Sequence, residues 1–293
     1  MAIPRLSPEE QMDRIVELAL AEDLGQGDVT TDSLIPPDLY GKAIILIKEE
    51  GIISGLDIAK KVFHKVDPSL TFTVLIPDGK GVKSGDIVAT VSGRVASILK
   101  AERTALNFLQ RLSGISTQAS RYVTKVRGLK CNIVDTRKTT PGLRLLEKYA
   151  VKTGGGKNHR LHLGDGILIK DNHLVALRHL GMSLKDIVAT AKKKAPKGVW
   201  VEVEVTSESE AKEVSEAGAD MVMLDNMRPD EMKKVVRTLP SHIKTEASGG
   251  ITLENVRDAA ESGVDLISIG ALTHSPKALN ISLELEPQSL TRR

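Results

Sequence analysis

The residues best suited to chemistry are concentrated in one part of the chain. From Asp135 to His173 there are eight Lys/Arg against four Asp/Glu, a surplus of four, whereas the whole chain has a net charge of only +3. Arg137 and Lys138 lie in "DTRKTTPG", His159 and Arg160 follow the glycines of "TGGGKNHR", and Lys170 ends "GILIK". Guanidinium forks match carboxylates and phosphates in two-point contact, and cations gathered in one cavity repel until an anion arrives. The segment therefore points to a polyanionic small molecule. The three glycines are expected to give the loop carrying His159 and Arg160 the freedom to close over it. His159 and His162 share a three-residue spacing but have no cysteine or acid in register, so they do not read as a zinc set.

Acids and glycines complete the pattern. Glu204 and Asp225 end the apolar runs "VWVEVEV" and "MVMLD" and are expected side by side. Glu202 shares a strand face with Glu204 and should lie deeper. Such acids can hold Mg²⁺ on a phosphorylated substrate, stabilise a cationic sugar transition state, or serve as buried partners of the basic segment. Ser248, Gly249 and Gly250 in "EASGGITLEN", and Gly270 in "SIGALTHS", follow the last two apolar runs. Small residues there free backbone N–H groups for an anion, with Thr252 placed to cap the next helix; plain turns would have the same composition.

Six short apolar runs from Cys131 onward must position these groups, alternating with helical patterns that include one from Val175 to Ala195. Repeated strand–helix units imply parallel strands covered on both faces. The runs finish at Asp135, Lys170, Glu204, Asp225, Glu246 and Gly270. Polar strand ends converging on one mouth favour an α/β barrel over an open sheet. The first part of the chain mixes a helix over Ser7–Asp23, capped by Ser7, with strands at 42–48, 70–76 and 86–93. A long helix follows from Val95 to Arg127, interrupted near Gly114.

Composition removes other classes. Aromatics are 2% of the chain, too few for base-stacking platforms, so nucleic acid is not an expected partner. No apolar run reaches the ~18 residues of a membrane span. One cysteine, Cys131, excludes an internal disulfide framework and fits a reducing compartment. An acidic amphipathic start is unlike a signal peptide, so the expectation is a soluble cytoplasmic protein.

"ERTALNFLQRLSGIST", "DTRKTTPGLRLLEKYAVKTGGGKNHR", "GDGILIKDNH", "VEVEV", "MLDNM" and "EASGGI" together resemble the quinolinate phosphoribosyltransferases, from "EDLGQGDVTTDSL" onward through nearly the whole chain. The resemblance implies an α/β protein: an N-terminal α/β sandwich (1–112, joined by a tail at 275–293) and a C-terminal incomplete, TIM-like α/β barrel (113–274). It implies conversion of quinolinate and phosphoribosyl pyrophosphate, with Mg²⁺, to nicotinate mononucleotide, pyrophosphate and CO₂ in de novo NAD synthesis. Carried over by motif, Arg137, His159 and Arg160 bind the quinolinate carboxylates, and Arg103 reaches the site of the other subunit of a homodimer. Lys138, Lys170, Glu204 and Asp225 are the catalytic set, and Glu204 and Asp225 also meet the metal, directly or through water. Ser248, Gly249, Gly250 and Gly270 hold phosphate. In "LIKEEG" this chain has Lys48 where the family often has an arginine that reaches the partner's site. Related readings are a transferase for nicotinate or another acceptor, a non-catalytic phosphate-sensing barrel, and a weak RNA binder.

Overall fold

The computed structural model describes residues 6–293. Two compact units form, and the expected boundary at residue 112 falls inside a helix. One unit takes the chain up to Ser120 together with 139–155 and 273–293; the other takes 121–138 and 156–272.

The first unit begins with α1 (Pro8–Leu24), where local chemistry sets the start. Ser7 accepts the Glu10 N–H at 3.2 Å, Glu10 returns the bond to the Ser7 N–H at 2.7 Å, and Pro8 needs no donor there. After α2 (Val29–Leu34) come β1 (Leu39–Ile47), β2 (Gly51–Ile52), α3 (Leu56–Val66), β3 (Thr71–Val74), β4 (Gly81–Val82) and β5 (Ile87–Arg94). The tail adds β12 (Ile281–Leu285) and β13 (Thr291–Arg292), giving an antiparallel sheet in the order β12-β1-β5-β3, with β13 also on β1. Ala43, Ile45 and Ile47 alternate into a dry core, as a half-buried strand requires. They are joined there by Val62 and Phe63 of α3.

The next helix, α4 (Val95–Lys125), runs unbroken through Gly114. This corrects the expected interruption. A Cβ on Gly114 would lie 2.0 Å from the Lys277 carbonyl oxygen, so the glycine serves the close approach of the returning tail. Alanine would improve helix propensity by about 1 kcal/mol. The clash is with backbone, and overpacking of this kind costs about 1–3 kcal/mol. Gly114→Ala should therefore lower the denaturant midpoint at unchanged slope, and a higher midpoint would show that the tail gives way freely. The segment 139–155, with α5 (Arg144–Thr153), belongs to the same unit.

The second unit is built on β6 (Asn132–Val134), β7 (Gly166–Ile169), β8 (Trp200–Val205), β9 (Met221–Asp225), β10 (Lys244–Ser248) and β11 (Leu266–Ser268). Their order is β6-β11-β10-β9-β8-β7, with every pair parallel. A single parallel bridge from Lys157 to Val134 extends the far side of β6. Connecting helices are α6 (Asp171–His179), α7 (Leu184–Lys194), α8 (Glu208–Glu216), α9 (Pro229–Thr238) and α10 (Val256–Glu261), and α11 (Ala271–His274) follows β11. The single helix expected over 175–195 is two helices. Gly181 takes φ +79°, and Ser183 caps α7 by accepting the Asp186 N–H.

Both faces of the central strands are buried, with different side chains on each. Val201, Val203 and Val205 are at most 1% exposed, as are Val222 and Leu224; Glu202, Glu204, Met221, Met223 and Asp225 occupy the alternate face. That alternate face of an incomplete α/β barrel is where the site is built.

Candidate active site

Register places the interior groups. Leu168 pairs with Glu202, Glu204 with Met223, Met223 with Glu246, and Asp225 with Ser248. Glu204 and Asp225 are thus on adjacent strands, but Asp225 sits one inward position further along. Glu246 is not a strand end: β10 continues to Ser248, so Glu246 is carried inside the barrel at 0% exposure, as is Glu202.

These two acids converge on His159. Its Nε2 lies 3.3 Å from Glu202 Oε2 and 3.1 Å from Glu246 Oε2, and the Trp200 ring meets the imidazole edge-on at 5.4 Å. Burial alone would pull the His159 pKa down, but the bonds and charges of Glu202 and Glu246 outweigh it and push it up to about 10. Burial, and then the charge of Glu246, push Glu202 up to about 7. Nδ1 accepts the Arg160 backbone N–H at 2.8 Å, so a doubly protonated ring would have to give up that bond. Nε2 is thus the ring nitrogen that faces the two carboxylates, whose charges favour a proton on it.

The loop carrying His159 is anchored. Its backbone N–H donates to Asp135 Oδ1 at 2.9 Å, the Asp135 N–H donates to the Lys157 carbonyl at 3.2 Å, and Arg160 donates to the Gly166 carbonyl at 3.1 Å. Two of the preceding glycines have structural reasons of their own. A Cβ on Gly154 would lie 2.3 Å from the Ser116 carbonyl oxygen, and Gly155 takes φ +89°. Close packing accounts for Gly154 and a left-handed turn for Gly155.

A cavity of about 280 Å³ is lined by Arg137, Lys138, His159, Arg160, Lys170 and Ser248, with Asp135, Met223 and Glu246 among its other walls. Burial lowers the Arg160 pKa, and the neighbouring Arg137 charge lowers it further, so this cavity favours an anion. Lys170 Nζ lies 3.2 Å from Glu204 Oε2, tying the cationic wall to the β8 acid. Asp225, Gly249, Gly250 and Gly270 lie beyond that lining. Gly249 and Gly250 take φ +85° and +60°, a turn that only small residues enter readily. Thr252 does not cap α10, which starts at Val256; it begins a turn in which its N–H donates to Asn255. Arg103 is exposed on α4 in the other unit. Lys48 is paired with Glu284 of its own chain at 2.6 Å. Asp135 and Glu246 became site residues only in three dimensions; the signal for Glu246 was its two-residue spacing from Ser248.

Residues 28–113 match the description "Quinolinate phosphoribosyl transferase, N-terminal domain", and residues 115–284 match its C-terminal domain. This chain belongs to the quinolinate phosphoribosyltransferase family. It is 42% identical to the probable nicotinate-nucleotide pyrophosphorylase (carboxylating) of Bacillus subtilis, over 94% of this chain and 93% of that one. It is also 42% identical to the chloroplastic nicotinate-nucleotide pyrophosphorylase (carboxylating) of Arabidopsis thaliana, over 97% and 86%. The crystal structure of NadC from Streptococcus pyogenes superposes with a TM-score of 0.90 at 38% identity, covering 99% of this chain and all of that one. No helix among the described residues is long and apolar enough to cross a membrane.

Proposed function

We propose that this chain transfers the phosphoribosyl group of phosphoribosyl pyrophosphate to the ring nitrogen of quinolinate and releases pyrophosphate and CO₂, leaving nicotinate mononucleotide for NAD synthesis. The observation that carries this reading is one small cavity walled by Arg137, Lys138, His159, Arg160 and Lys170 and reaching Ser248. Two adjacent carboxylates on a pyridine ring match such a wall by two-point contact. Arg137, His159 and Arg160 orient the diacid, and Lys138 and Lys170 stand beside it. As the ring nitrogen attacks ribose C1 and pyrophosphate departs, the sugar becomes oxocarbenium-like, and Glu204 and Asp225 stabilise that charge. Loss of CO₂ from the carbon beside the nitrogen leaves an electron pair next to a ring that is now positive, and a proton takes its place. Ser248, Gly249, Gly250 and Gly270 receive the phosphate.

Glu204 and Asp225 are hard oxygen donors on neighbouring strands, and Glu204 Oε2 is buried with the Lys170 ammonium as its near neighbour and no hydrogen bond made to it. They fit Mg²⁺, directly or through water. When bound, that ion neutralises negative charge on the departing pyrophosphate. A cytoplasmic location is supported by the single, buried Cys131. The direct test is pyrophosphate release from phosphoribosyl pyrophosphate on addition of quinolinate; no release would refute the proposal.

A homodimer with shared sites accounts for Arg103, which is exposed and distant in sequence from the other cations. Arg103→Ala and Lys170→Ala are each expected to be nearly inactive. Mixed and re-associated, they should recover up to about a quarter of native activity, because random pairing makes half the dimers mixed, each with one intact site of two. No recovery despite demonstrated subunit exchange would place Arg103 in its own chain's site.

A further inference from the structure

Asn226 follows Asp225 at the end of β9 and takes φ 52°, the only non-glycine residue with positive φ among the described residues. A side chain in that conformation is costly and persists where its surroundings impose it. Here three contacts do so. The Asn226 N–H donates to the Ser248 carbonyl at 2.9 Å, carrying the β9–β10 pairing one residue past the strand end. Its side-chain Nδ2 donates to Asp225 Oδ2 at 2.7 Å. Its amide also lies on Gly249, where a Cβ would come 2.3 Å from Asn226 Oδ1 and 2.8 Å from Nδ2. Only glycine at 249 leaves room for the amide, and Gly249 is itself at φ +85°. An exposed residue is thus held in a strained state by the Asp225 carboxylate on one side and the Ser248–Gly250 turn on the other.

We infer that Asn226 is a positioning residue that locks the Asp225 carboxylate in register with the Ser248–Gly250 turn, so that both grip one phosphorylated sugar donor. The bond to Oδ2 fixes the carboxylate's rotation and leaves Oδ1 available to the donor. The left-handed backbone lets one residue reach both groups: in the extended conformation the side chain would point away from Gly249. This inference rests on the proposed reaction for the identity of the donor, phosphoribosyl pyrophosphate.

Two variants test it. Asn226→Gly removes the amide and relaxes the backbone, since glycine enters positive φ freely. Asn226→Asp keeps the shape but replaces the donor to Asp225 with a like charge. Both should raise KM for phosphoribosyl pyrophosphate at least roughly tenfold, as expected for loss of a hydrogen bond to a charged group. KM for quinolinate should stay within about twofold, and Asn226→Gly should melt no lower than the native protein. Calorimetric titration of phosphoribosyl pyrophosphate with Mg²⁺ should show the same loss in Kd, independently of turnover. Donor KM and Kd unchanged in both variants would overturn the inference and leave Asn226 a turn residue. A native protein that binds the donor without using quinolinate would overturn the reaction while the Kd comparison still decides the clamp. A native protein that does not bind the donor would overturn both.

Discussion

Nicotinate is expected to be a poorer substrate than quinolinate by on the order of 10²–10⁴ in kcat/KM. It lacks the carboxylate beside the ring nitrogen, so one or two of the cations lining the cavity would be enclosed without their anion. Each lost charge-assisted hydrogen bond costs about 1.5–3 kcal/mol, and about 1.4 kcal/mol is a factor of ten in rate. The wall cannot easily rearrange to recover this. Arg160 is held to the Gly166 carbonyl, His159 is fixed at both ring nitrogens, and the Arg137 charge already works against that of Arg160. Steady-state kinetics with each acid, at saturating phosphoribosyl pyrophosphate and Mg²⁺, measures the ratio. Comparable efficiency on nicotinate would contradict a site built for the diacid.

Asp225→Asn is expected to lower turnover on the order of 10²-fold or more, the usual loss for one pre-placed electrostatic group. The substitution is nearly isosteric and half-exposed, so the melting temperature should hardly move. On the proposed reaction the carboxylate acts through a charge fixed in place: Asn226 holds Oδ2, and the paired Ser248 opens the glycine turn. An amide in the same position retains the contact with Asn226 but loses the charge. Native turnover in a folded Asp225→Asn protein would remove Asp225 from the mechanism.

Local chemistry accounts for what could be read from the sequence alone. Ser7 as an N-cap marked the start of α1, and alternating Val and Glu in "VEVEV" forecast a strand with valines on one face and acids on the other. The same alternation put Glu202 beneath Glu204. What was misread depends on segments distant in sequence. Gly114 looks like a helix break, but it accommodates Lys277. Gly154 looks flexible, but it packs on Ser116. Glu246 looked like a strand end because nothing local shows that pairing with β9 continues to Ser248. Asn226 carried no signal at all, since its left-handed backbone follows from contacts made across two strands.

The measurement that bears most directly on the central claim is the release of CO₂ from quinolinate labelled in the carboxylate beside the ring nitrogen. Labelled CO₂ should appear only with phosphoribosyl pyrophosphate and Mg²⁺ both present, in equal amount with pyrophosphate and nicotinate mononucleotide. Pyrophosphate formed without labelled CO₂, or no turnover of quinolinate by the folded protein, would contradict it.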